Sequence, residues 1–122
     1  MARSKHDAWT VTELGCPDCA GVLRTRQDGE NEHQEYQCHV GHRFSALSLL
    51  KGKETQLECA LWSALVLLAH VEMACNDLIG RDGDGARSTR AVIRRRIREV
   101  QDQQRKVRAI IEGTHVCQLG EP

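Results

Sequence analysis

Cys16-Pro17-Asp18-Cys19 and, after eighteen intervening residues, Cys38-His39-Val40-Gly41-His42 are two short chelating turns set apart by about the length of a β-hairpin. That spacing is how a small domain builds one tetrahedral zinc site. In a C-x-x-C turn two thiolates point the same way and share one ion at about 2.3 Å. The second turn adds a third thiolate and an imidazole. Four such ligands close the coordination sphere and leave no open position for a substrate. The expected cofactor is therefore a structural Zn2+ held by Cys16, Cys19, Cys38 and His42. His39 is the competing imidazole, but neighbouring residues seldom aim at one ion without backbone strain. Gly41 supplies a flexible turn that brings the His42 ring round.

Disulfides are the alternative use of six cysteines in 122 residues. Met1 to Trp9 is polar and has no apolar leader segment, and three cysteines outside the cluster (Cys59, Cys75, Cys117) do not pair off completely. Reduced thiols and no export signal lead to an expected cytoplasmic location. Net charge is zero, so the whole molecule carries no bulk bias toward nucleic acid or membrane. The halves differ: residues 1–80 hold seven Lys/Arg against eleven Asp/Glu, and residues 81–122 hold ten against six. Trp9, Tyr36, Phe44 and Trp62 are the only aromatics, which points to helices packed through Leu, Ile, Val and Ala.

Outward from the cysteines, Trp9-Thr10-Val11-Thr12 has strand character. Val22-Leu23-Arg24-Thr25 and Glu35-Tyr36-Gln37 read as a hairpin around the polar segment from Gln27 to His33, with its Asp28-Gly29 turn signal. This is the layout of a zinc ribbon over residues 1–44. So short a sheet buries too little apolar area to fold alone, and metal binding has to supply much of its folding free energy.

After Phe44 the period lengthens. Ser45 is a candidate N-cap, and Leu50, Leu57, Leu61, Ala64, Leu68, Val71, Cys75 and Leu78 follow helical spacing. The expected helix runs from about 46 to 79, with Gly52 as a point of kinking and Gly80 as a C-terminal cap. Ser63, His70 and Glu72 interrupt the apolar run from Cys59 to Ala74, which argues for a core helix and against a membrane span. The segment 81–86 is a loop. Its Asp82-x-Asp84 lacks the remaining oxygen ligands of a calcium loop. Ser88 is placed to cap a second helix, about 89–112, in which Ile93, Ile97, Val100, Gln104, Val107 and Ile111 form a narrow stripe. The expected fold is α+β, mostly α: a small zinc ribbon, then an antiparallel helical hairpin over 45–122. One narrow stripe cannot cover the first helix, so a homodimer is expected, with Leu61, Trp62, Leu65 and Leu68 at the partner contact.

The second helix is rich in arginine, and Arg94, Arg95, Arg98 and Arg105 define a basic face for nucleic acid or an acidic partner. Neutral net charge favours a solvated face instead, and no aromatic residue interleaves these arginines to stack on bases. A third reading, a thiol-based redox or metal sensor, rests on Cys59, Cys75 and Cys117.

Three blocks together carry a resemblance: Cys16 to Leu23, Tyr36 to Ser45, and Leu57-Glu58-Cys59-Ala60-Leu61-Trp62-Ser63-Ala64-Leu65. In this order and at these separations they resemble the C-terminal extension of some bacterial chemotaxis protein-glutamate methylesterases, over about residues 14–79. The resemblance implies a chemosensory or related signalling setting. It does not imply esterase activity, because no G-x-S-x-G or parallel-sheet pattern occurs and the five serines lie on helices, caps or the N-terminal tail. The expected function is a non-enzymatic adaptor acting through protein contacts.

Overall fold

The computed structural model describes residues 8–27, 33–81 and 87–113. The expected features in the N-terminal tail, most of the Asp28-Gly29 segment, the 82–86 loop and Cys117 lie outside the described residues. Four strands, β1 (Thr10–Gly15), β2 (Val22–Gln27), β3 (Gln34–Cys38) and β4 (Arg43–Ser45), are followed by helices α1 (Ala46–Arg81) and α2 (Arg87–Gly113). The sheet is antiparallel in the order β1-β2-β3-β4. The architecture is α+β and mostly helical.

The hairpin register sets Leu23 opposite Cys38 and Thr25 opposite Tyr36. Strand alternation then sends Leu23, Tyr36 and Cys38 to one face and Arg24, Arg26, Glu35 and Gln37 to the other. β1 joins β2 through Thr10–Thr25 and Gly15–Val22, with an irregularity between Val11 and Gly15. The Thr12 hydroxyl donates to the Leu23 carbonyl at 2.7 Å there, so it occupies an acceptor that the disturbed ladder does not. β4 was not expected. It is three residues long, too short to show a period, and its pairing of Tyr36 with Phe44 defines it.

Ser45 caps α1 as expected. Its hydroxyl accepts the Ser48 N–H at 3.1 Å, while the Ser48 hydroxyl accepts the Ser45 N–H at 2.8 Å. This is a reciprocal capping box with serine in the place of glutamate. The helix runs unbroken through Gly52. A Cβ built there would stand 2.7 and 2.9 Å from the Pro17 ring, so the missing side chain is what lets the first chelating turn sit against α1. We expect Gly52→Ala to destabilise the metal-loaded protein by about 1–3 kcal/mol in urea unfolding, the usual cost of overpacking against a rigid group. Alanine's helical advantage of about 1 kcal/mol acts in the opposite sense, and the clash outweighs it. Two further boundaries differ from expectation. α1 passes through Gly80 to Arg81, and α2 begins at Arg87, which places Ser88 inside its first turn.

The chain divides into two compact units within α1, between Gln56 and Leu57. In the first, Cys16, Leu23, Cys38 and Leu49 form the core, with Tyr36 and Phe44 packed on it. Leu49 is thus a helix residue that closes over the two chelating turns. In the second, Leu65, Cys75, Val100 and Ile111 are the buried residues.

The α2 stripe is as expected: Ile93, Ile97, Val100, Gln104, Val107 and Ile111 are all buried or half-buried. The α1 stripe is half as expected. Leu61, Ala64, Leu68 and Cys75 are buried or half-buried, but Leu50, Leu57, Val71 and Leu78 are exposed, and Leu65, Glu72 and Ile79 are protected instead, so that Leu61, Leu65, Leu68, Glu72, Cys75 and Ile79 form one set. That set has the same 4,3,4,3,4 spacing as α2. Glu72 holds a place in it because Gln101 and Gln104 donate to its two carboxylate oxygens at 2.9 and 2.7 Å. These two hydrogen bonds also hold the Glu72 pKa below the usual carboxylate value.

An 18-residue window of α1 has a mean hydropathy of 1.5, and by length and composition the helix is long enough to cross a membrane. The expectation against a span weighed uninterrupted apolar runs, and a window that admits isolated polar residues passes. Only 6% of that window is buried within the chain.

Candidate metal centre

Cys16 directly follows β1, opens the first chelating turn and is fully buried, and Cys38 closes β3. Each chelating turn is fixed by its own backbone. In the first, the Ala20 N–H donates to the Cys16 carbonyl at 2.8 Å and the Cys16 N–H to the Gly21 carbonyl at 2.7 Å. In the second, Gly41 donates to the Cys38 carbonyl at 3.1 Å and Cys38 to the His42 carbonyl at 3.2 Å. Closing the second turn requires φ +106° at Gly41, where a Cβ would clash with the backbone. Ala20 takes the equivalent left-handed position in the first turn at φ 63°.

The result is a cluster in which one donor atom each from Cys16, Cys19, Cys38 and His42 lies within 4.8 Å of the others. The Cys19 and Cys38 sulfurs are 3.6 Å apart, and the His42 Nδ1 stands 3.6 Å from Cys16 Sγ and 3.3 Å from Cys38 Sγ. A tetrahedral ion bonded to sulfur at about 2.3 Å and to nitrogen at about 2.0–2.1 Å sets its ligand atoms roughly 3.5–3.8 Å apart. The donor set and its spacing therefore fit a metal ion such as zinc, with Nδ1 rather than Nε2 as the imidazole donor. His39 is exposed and outside the cluster.

Backbone N–H groups converge on the sulfurs. Asp18 donates to Cys16 Sγ at 3.4 Å and His42 to Cys38 Sγ at 3.3 Å. Burial works against the Cys38 thiolate, but N–H groups of His42, Gly41 and Val40 and the Cys19 thiol donate toward it and bring its pKa down to about 6. At Cys19 the Gly21 N–H favours the thiolate, yet burial and the Cys38 and Cys16 sulfurs outweigh it and raise the pKa. The converging N–H groups favour the thiolate at Cys38, and metal binding displaces the protons that remain on the other ligands.

The folded value of Cys38 lies below its unfolded 9.0. Its contribution to stability is complete above 9.0 and is lost as pH falls through about 6. We expect acid to release bound zinc, because protons compete with the metal for the three thiolates and the imidazole, read with a colorimetric zinc indicator during an acid titration. A metal content that does not fall on acidification would refute ligation by these groups.

The other expected site residues scatter. Leu61, Leu65 and Leu68 lie in the protected α1 stripe, and Leu65 is only 6% exposed. Leu65 is thus covered within the chain, where a partner contact had been expected, because the protected stripe takes in Leu65 beside Leu61 and Leu68. Trp62 is exposed and lines a shallow apolar depression with Ser63, Val66 and Leu67. Arg94, Arg95, Arg98 and Arg105 are all exposed; Arg95 pairs with Glu99 and Arg105 with Asp102. Cys59 is exposed and Cys75 buried.

One feature had no expectation attached to it. The Arg24 and Arg26 guanidiniums lie 4.6 and 4.3 Å from the centre of the Trp9 ring. Arg26 also pairs with Glu35 at 3.0 Å, and Arg43 approaches the same carboxylate at 3.8 Å. The alternation Arg24-x-Arg26 was readable as one face of a strand, but nothing in the sequence placed Trp9 over it. No family model, curated protein or solved structure matches the chain.

Proposed function

We propose that this chain is a non-enzymatic, zinc-binding adaptor that regulates a signalling partner through protein contacts in the cytoplasm. The observation that carries the reading is the closed donor set: three sulfurs and one imidazole nitrogen within 4.8 Å. Such a set satisfies a tetrahedral ion completely, so the metal organises the fold and takes no substrate. Cys16, Cys19, Cys38 and His42 are its ligands. The resemblance to the methylesterase extension supplies the bacterial chemosensory setting.

Contacts are made through α1, whose outward side is apolar at Trp62, Val66, Leu67, Met73 and Leu78. A face of this size on a soluble chain marks an interaction surface, and the partner we assign first is a second copy. The test combines two measurements on the purified chain. Elemental analysis gives one zinc per chain, and sedimentation equilibrium at tens of micromolar gives a dimer. A chain that folds fully without metal overturns the adaptor reading at its base.

A second reading, a nucleic-acid-binding regulator, is favoured by the Arg24–Trp9–Arg26 arrangement on the sheet and the exposed arginines of α2. Stacking aromatics beside cations suit single strands. Titration with labelled single-stranded and duplex DNA and RNA across a salt series separates the two, since phosphate contacts give a steep salt slope.

A further inference from the structure

The side of α1 turned away from α2 has an internal order that the word apolar does not capture. Ser63, His70 and Asp77 recur every seven residues, are all exposed, and lie opposite the protected stripe of Leu61, Leu65, Leu68, Glu72, Cys75 and Ile79. They run down the middle of the face with apolar residues on both sides. The arrangement is also symmetric about His70. Ser63 and Asp77 stand seven residues before and after it. Val66 and Ala74 stand at four residues, Leu67 and Met73 at three, and Trp62 and Leu78 at eight. At every one of these distances polar matches polar and apolar matches apolar.

We propose that two copies pair through this face with their α1 helices antiparallel and His70 on the two-fold axis. The proposal rests on the homodimer reading above and assigns its geometry. A two-fold interface is isologous, so a residue at a given distance before the axis meets the residue at the same distance after it. Self-complementarity about one residue is what this requires, and an unrelated partner would impose no such pattern. In this register Trp62 packs on Leu78 of the second copy, Val66 on Ala74 and Leu67 on Met73. The Ser63 hydroxyl donates to the Asp77 carboxylate, which within its own chain pairs with Arg81 at 3.0 Å.

Area and polarity both favour a second copy over a lipid surface. Trp62, Val66, Leu67, Met73 and Leu78 are 48, 51, 62, 65 and 53% exposed. Covering them on two chains removes on the order of 1,000 Å² from water, about the lower limit for a specific interface. A lipid surface would instead take His70 and Asp77 into hydrocarbon at the centre of the face with no partner for either.

Two measurements on the full, zinc-loaded chain test this, in a background with Cys59→Ser and Cys117→Ser. Sedimentation equilibrium reads the dimer, and disulfide formation under a glutathione redox buffer reads its geometry. His70→Cys alone is expected to give a covalent dimer. Ser63→Cys and Asp77→Cys chains are each expected to stay uncrosslinked alone and to link when mixed. Leu67→Glu is expected to raise the dimer dissociation constant at least a hundredfold while leaving the helical signal unchanged. Self-linking of both Ser63→Cys and Asp77→Cys would mean parallel helices and overturn the geometry while the homodimer reading stands. A monomer at tens of micromolar overturns both, and a monomer that binds phosphatidylcholine vesicles assigns the face to lipid.

Discussion

Cys38→Ala is expected to abolish metal binding and unfold the sheet, while leaving most of the helical signal in place. Cys38 supplies the sulfur with the lowered pKa, is 1% exposed in the core of the first unit, and anchors the second chelating turn through its carbonyl, its N–H and its sulfur. Zinc bound at such a site contributes an apparent 10–16 kcal/mol, roughly, at neutral pH. Few sheets this small stay folded after losing it. The helices survive because Leu65, Cys75, Val100 and Ile111 form a core that shares no residue with the metal cluster. Elemental analysis and far-UV circular dichroism read the two effects. His42→Ala should lose zinc likewise, and His39→Ala should keep it. Metal retained by Cys38→Ala would refute the ligand set. Complete loss of the helical signal would show that sheet and helices fold as one cooperative unit.

Leu65→Glu is expected to melt the α1–α2 pair. Leu65 is the most protected α1 residue of the second unit. An uncompensated buried charge costs about 3–5 kcal/mol, a large part of what a pair of helices has to offer. Thermal unfolding followed at 222 nm should lose the transition of this unit, while Leu67→Glu, two residues away and 62% exposed, should retain it. Equal melting of the two variants would mean that α1 is not oriented as described.

The contrast shows what could be read from the amino acids alone. The metal cluster was legible to the residue, because ligand chemistry and turn spacing are local properties and Gly41 marks the turn that aims His42. The α2 stripe was legible because charged residues surround it and leave one apolar line. On α1 the same method found only half of the stripe, Leu61, Ala64, Leu68 and Cys75. Most positions from Leu57 to Leu78 are apolar, so two overlapping 4,3 patterns coexist, and a pattern of apolar residues passes over Glu72. What admits Glu72 is a pair of glutamines some thirty residues on, which no local pattern reports. Gly52 and Trp9 escaped for the same reason: Pro17 approaches the first, and the arginines of β2 flank the second, only in the folded chain.

Glu72 also settles a question that the leucines and isoleucines leave open. Both facing stripes repeat every seven residues, so apolar contact alone is nearly as good after sliding α2 by one repeat. Such a slide would set Ile97 or Ile111 against the Glu72 carboxylate and leave the Gln104 amide against Leu65 or Ile79. The carboxylate and its two amides therefore act as an alignment key for an otherwise degenerate ratchet. They trade some burial for a single permitted position.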